Sequence, residues 1–142
     1  MPLYRCLVPA GSLDADTRAA LAEEITTVHC SVITTEPIFV NVLFTEYEPT
    51  NYYSGGHPST ISVISATIRA GFDRFTRGEL LTRISEAWSR ITGQDVRHTL
   101  VYIDEIEPTS LMEAGLMAPA PGEEAVWVRQ YQQELGELRH RD

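Results

Sequence analysis

The sequence predicts an α/β protein built as layers. Two tandem β-α-β units share a four-stranded sheet, both helices lie on one face of it, and a helical tail follows. Three observations lead there. First, the chain matches itself without a gap at an offset of 59, from Thr17–Thr50 onto Thr76–Thr109. The identical pairs include Thr17/Thr76, Arg18/Arg77, Leu21/Leu80, Ile25/Ile84, Glu46/Glu105, Glu48/Glu107, Pro49/Pro108 and Thr50/Thr109. Unrelated stretches of that length would share roughly two. Second, Leu21, Ile25, Val28 and Val32 recur at helical spacing. Third, strand-like runs flank each helix: 3–8 and 38–44 around the first, 61–68 and 98–103 around the second.

Taken in order, residues 3–8 read as a strand, and Ser12 or Asp14 supplies the cap of a helix over 15–34. Pro37 follows it, then the β-rich run Ile38–Phe44. Residues 46–60 read as loop from their Gly, Pro, Asn and Ser content. The second unit repeats the pattern, with a helix over 76–92 carrying Leu80, Leu81, Ile84, Trp88 and Ile91. The chain of 142 residues is thus expected to be one domain, with repeat 1 at 2–50, repeat 2 at 61–109 and a tail at 110–142. In the tail, Ser110–Met117 is expected to form a helical turn, and 123–139 a last helix that docks on a neighbour or covers a cleft. Each unit should be right-handed with parallel strands. The sheet face away from the helices then carries Phe39 and Leu43, or Leu100 and Tyr102, according to strand phase. That apolar face calls for oligomerisation.

Composition narrows the function. A net charge of −9 speaks against nucleic acid, which needs clustered Lys and Arg. No apolar run approaches the ~20 residues of a membrane span. Two cysteines, Cys6 and Cys30, make no disulfide framework, so a cytoplasmic setting is expected. The four histidines show no metal-ligand spacing, and no metal or other cofactor is expected. Chemistry is sought instead at Pro2, behind the initiator methionine and at the head of a strand. Removal of Met1 would leave its ring nitrogen as a secondary amine, a base that titrates near neutral pH when burial lowers its ordinary value of about 8. His29 and Arg69 are residue types that hold a carboxylate, Arg by two parallel N–H···O bonds and His by one. His29 stands opposite Trp88 in the repeat, so the fold itself does not demand a histidine there.

A Met-Pro start followed by two β-α-β units resembles the tautomerase superfamily (4-oxalocrotonate tautomerase-like), and most closely the family of cis-3-chloroacrylic acid dehalogenase and its homologues. The resemblance covers most of the chain. It implies that Pro2 is the catalytic proline, that His29 in Thr27-Val28-His29-Cys30 and Arg69 in Ile68-Arg69-Ala70-Gly71-Phe72 bind substrate, and that Tyr102 in Leu100-Val101-Tyr102-Ile103 and Glu113 in Met112-Glu113-Ala114-Gly115 complete the catalytic set. Pro121-Gly122-Glu123-Glu124 is similar to the segment that follows in the family. The family's second arginine falls at Phe72, with Arg74 close but out of register; Phe72 is expected instead to bind substrate, its ring stacking on an aromatic acid such as phenylpyruvate. The implied function is cofactor-independent tautomerisation of small 2-oxo or enol carboxylic acids such as phenylpyruvate by a homotrimer. Phe72 in place of an arginine weakens any dehalogenase or hydratase activity, because a second guanidinium would stabilise the charge that develops during water attack. Two other readings stand beside it. One is a cis-3-haloacrylate dehalogenase or hydratase in which Glu113 and Tyr102 activate water. The other is a non-catalytic ligand-binding or signalling oligomer.

Overall fold

In the computed structural model, residues 2–141 are described. Strand β1 (Leu3–Pro9), helix α1 (Ala15–Val32) and strand β2 (Asn41–Tyr47) form the first arm. A small hairpin, β3 (Tyr53–Ser54) and β4 (His57–Pro58), leads to the second arm of β5 (Ser62–Arg69), α2 (Arg74–Thr92) and β6 (Thr99–Ile106). The tail holds β7 (Met112–Glu113), β8 (Leu116–Met117), α3 (Glu124–Gln130) and α4 (Gln132–Leu138). The main sheet runs β2-β1-β5-β6. Each arm pairs its own strands in parallel, and the arms meet through the antiparallel pair β1·β5. The mixed four-stranded sheet with two helices on one face is the expected architecture.

Both long helices start the same way. Asp14 and Asp73 each accept the N–H three residues on, from Thr17 and Thr76, at 2.7 Å. Those hydrogen bonds hold both carboxyls below the usual range. Helix α2 ends on Gly93 at φ 75°, a left-handed position that suits glycine. Along β1, Tyr4, Cys6 and Val8 alternate inward and meet Ile64, Ala66 and Ile68 of β5 in the core. Leu21, Ile25, Val28, Leu80, Ile84 and Trp88 close that core from the helices. The opposite face leaves Leu7, Leu43, Leu100 and Tyr102 exposed, at 38, 52, 45 and 41%. Among the described residues no helix is long and apolar enough to cross a membrane.

Three local expectations are corrected. Phe39 is not on the bare face: Pro37–Phe39 is a 3-10 turn, and β2 begins only at Asn41. Proline at the first turn position presets φ for that turn, and the Phe39 ring swings into a second cluster with Leu116, Trp127 and Leu135. The stretch Ser110–Met117 is not a helical turn but the hairpin β7·β8, because Ala114 (φ 52°) and Gly115 (φ 80°) adopt the paired positive φ of a tight hairpin turn. The single last helix is two, broken at Tyr131, whose ψ of 29° leaves the helical range and whose ring packs on Trp127 at 5.4 Å. The apolar residues of the tail pack on Phe39 of the first arm.

Candidate active site

Pro2 lies just ahead of β1 and is buried. Its carbonyl accepts the backbone N–H of Asn41 at 3.0 Å and the Asn41 side-chain amide at 3.4 Å, which pins it to the start of β2. Because β1 and β5 are antiparallel, with Leu3 opposite Thr67, the head of β1 lies beside the end of β5. Arg69 is the last residue of β5 and is 3% exposed. The topology therefore brings a buried proline and a buried guanidinium to one end of the sheet.

His29 reaches the same end from the last turn of α1, where it is 1% exposed. Its Nδ1 lies 2.7 Å from the Tyr4 hydroxyl and its Nε2 lies 3.2 Å from Thr35 Oγ1. Burial pushes the Tyr4 phenol far above its usual range, so it keeps its proton and donates it to Nδ1. Nε2 then carries the ring hydrogen and donates to Thr35. Burial first, with the nearby Arg69 charge added, lowers the His29 pKa to about 3. At neutral pH His29 is therefore an uncharged donor of fixed tautomer.

The loop after α1 ties the two together, since Thr34 offers its carbonyl to Arg69 Nη2 at 3.2 Å while Thr35 holds His29. Arg69 Nη1 also donates to the Pro119 carbonyl at 2.8 Å, and Nη2 to Glu124 Oε1 at 3.2 Å. Thr34, Thr35, Phe39, Arg69, Glu124 and Trp127 line a cavity of about 90 Å³. Phe39 and Trp127 meet edge to face at 5.8 Å and form its apolar wall.

The remaining expected residues fall in three places. Glu113, on β7, accepts the Asn41 amide at 2.9 Å and so stands one residue from Pro2. Phe72 lies beneath Arg69, its ring centroid 5.4 Å from the guanidinium carbon, and packs against the main core. Tyr102, on β6, pairs with Ser65 of β5, four residues along that strand from Arg69, or about 13 Å at strand rise, and lies on the bare face. Within one protomer it is not at the Pro2 end. Tyr4, Thr35, Asn41 and Glu124 were missed as site residues. Tyr4 read as one more apolar strand position, and Asn41 as an inner position of the run Ile38–Phe44. Glu124 stood only as part of the segment Pro121-Gly122-Glu123-Glu124, with no role of its own.

The family model described as "Putative oxalocrotonate tautomerase enzyme" matches residues 1–132. The chain is similar to the crystal structure of native Ps01740 at 33% identity, covering 78% of this chain and 99% of that one with a TM-score of 0.76. It is similar to N1, a member of the cis-3-chloroacrylic acid dehalogenase family, at 28% identity over 96% of this chain and 98% of that one, TM-score 0.90. Native fused 4-OT aligns at 26% identity over 82% and 95%, TM-score 0.74. No curated protein matches the sequence. A family match over nearly the whole length, on a fold shared from the first strand to the tail helices, places the chain in the tautomerase superfamily.

Proposed function

We propose that this chain is a cofactor-independent tautomerase of small 2-oxo or enol carboxylic acids such as phenylpyruvate. The observation that carries this reading is the buried Arg69 beside neutral His29 at the Pro2 end of the sheet, under an apolar wall of Phe39 and Trp127. Removal of Met1 makes the Pro2 nitrogen an amine. In the neutral form it accepts the hydroxyl proton of the enol as the carbonyl forms. The resulting ammonium returns a proton to C3, so the amine is regenerated. Arg69 holds the substrate carboxylate, and the His29 Nε2–H turns from Thr35 Oγ1 to supplement it. Phe72 acts behind the arginine, fixing the guanidinium plane from below.

The rival within enzymes is hydration or hydrolytic dehalogenation of a 3-haloacrylate. Its support is the hydrogen-bonded link from Glu113 through Asn41 to Pro2, together with the likeness to N1. There Glu113 prepares water for attack at C3, and protonated Pro2 donates to C2. The two reactions need opposite protonation states of Pro2. With one guanidinium at the site, the tautomerase is the stronger activity.

The assembly we propose is a homotrimer in the cytoplasm. Leu7, Leu43 and Leu100 lie exposed on one sheet face, and a second copy covers them. Tyr102 lies among them, so its hydroxyl serves the site of a neighbouring copy rather than its own. Both cysteines are free, which fits a reducing compartment.

Purified protein is to be assayed against phenylpyruvate enol and cis-3-chloroacrylate, with intact mass and light scattering on the same sample. Expected are a mass lacking Met1, a trimer, fast ketonisation and slow halide release. Full activity with Met1 retained excludes the amine mechanism. A monomer near 15.9 kDa excludes the trimer.

A further inference from the structure

The guanidinium of Arg69 is held by three groups of the chain: the carbonyls of Pro119 and Thr34 and the carboxylate of Glu124. Glu124 is itself held, since its second oxygen accepts the Gly122 N–H at 2.8 Å. Among the described residues no buried side-chain nitrogen or oxygen lacks a partner. The pair is 3% and 14% exposed, so it sits in a setting where an unpaired charge is costly. Leaving Arg69 unpaired there would be costly, and its own tail provides the carboxylate.

Glu124 opens α3, the short helix whose Trp127 closes the cavity against Phe39. The tail reaches this position by close approach: a Cβ on Gly71 would lie 2.9 Å from Pro121 Cγ. Moving the carboxylate off Arg69 thus moves part of the cavity wall.

We infer that Glu124 is a specificity-determining residue that competes with the substrate's carboxylate for Arg69, so that an acid binds by exchanging places with it. The inference rests on the proposed role of Arg69 as carboxylate holder. Exchange of one carboxylate for another leaves the arginine paired throughout. A neutral molecule of the same shape brings no replacement charge, leaves Glu124 in place and is excluded. Apparent affinity for the acid is reduced by the fraction of time Glu124 occupies the guanidinium.

The probe is 3-phenylpropanoate, an inert carboxylate, titrated calorimetrically into the wild type, Glu124→Gln, and the double variant Arg69→Met with Glu124→Gln. Gln keeps the shape and one acceptor but not the charge, and the double variant replaces the buried pair with two neutral side chains. Binding at least tenfold tighter in E124Q than in the wild type, and lost in the double variant, is expected. E124Q no tighter than the wild type, with binding lost in the double variant, overturns the exchange and leaves Arg69 as the carboxylate holder. Equal binding in E124Q and the double variant overturns the role of Arg69 and the exchange with it. A second measurement uses only the wild type. Hydrogen exchange of the α3 amides, such as Trp127 N–H on the Glu123 carbonyl at 3.0 Å, should speed up when the probe binds. Unchanged or slower exchange overturns the inference, because a ligand that merely fills the cavity protects its walls.

Discussion

The two β-α-β arms are near copies in their scaffolding and differ where chemistry is proposed. Each has an aspartate cap followed by Thr-Arg, and in each the arginine donates to a loop carbonyl ahead of the helix, Arg18 to Leu13 and Arg77 to Phe72. The last turns of the helices match as well. His29 and Trp88 occupy equivalent places, both 1% exposed, and each sends a ring N–H to a side chain six residues on, Thr35 at 3.2 Å and Gln94 at 2.9 Å. The indole needs nothing more. The imidazole has a second nitrogen, and the first arm provides Tyr4 to satisfy it. What the arms share serves the fold; where they diverge, polar groups have been buried at the cost of providing partners for them. That cost is the physical mark of a site.

The largest expected difference lies at the arm heads, Pro2 and its repeat counterpart Ile61. Pro2→Ala should lower kcat/KM for phenylpyruvate ketonisation by about 10²–10⁴, the loss typical of a positioned acid–base group. Ile61→Ala should leave kcat/KM within about twofold while lowering the Tm. Equal activity losses from the two would break the comparison and move the chemistry away from Pro2.

The next concerns the helix ends. His29 has a folded pKa of about 3 against 6.5 when unfolded, so the folded state disfavours its protonation. Above pH 6.5 it is neutral in both states and adds no pH dependence. As pH falls from 6.5 towards 3 the unfolded chain binds one more proton than the folded one, and stability is lost. By pH 4 that amounts to about 3 kcal/mol. Urea unfolding across this range should show a steeper loss for the parent than for His29→Gln, by one proton's slope. The second arm has Trp88 at this place and no matching titration. Parallel stability curves for the two proteins would mean that His29 is accessible to protons in the folded state.

The scaffold was legible because each arm announces itself locally: capping residues, a 3.6-residue apolar period and turn chemistry depend only on neighbours in sequence. The repeat added the topology. Pro2, His29, Arg69 and Glu113 were marked by residue type and by resemblance, and the structure brings them to one end of the sheet. Tyr4, Asn41 and Glu124 were not legible as site residues, since their roles depend on partners 25, 72 and 55 positions away. The β7·β8 hairpin was misread as helical, because the alanine before Gly115 carries no sign that it will take a positive φ. Phe39 was misplaced because its partner, Trp127, lies in the tail, outside the repeat.

The smallest expected effect separates two residues that do the same structural work. Leu13 and Phe72 are repeat counterparts: each precedes its helix cap, lends its carbonyl to an arginine, and packs partly buried against the main core. Only Phe72 also lies beneath a site residue, with Arg69 5.4 Å above its ring. A leucine at position 72 would fill most of the same space but offer no π-face. Phe72→Leu should therefore cost stability modestly, about 1 kcal/mol. It should also remove a cation–π contact worth about 0.5–1 kcal/mol, which orients the guanidinium rather than touching the substrate. Loss of that orientation weakens carboxylate binding in ground and transition states alike, so KM for phenylpyruvate should rise about two- to fivefold at constant kcat. Leu13→Ala should show the stability loss without the change in KM. If both variants leave KM unchanged, Phe72 is a core residue and nothing more, and the arms are alike at this position. A fall in kcat for Phe72→Leu would instead place the ring against the reacting atoms.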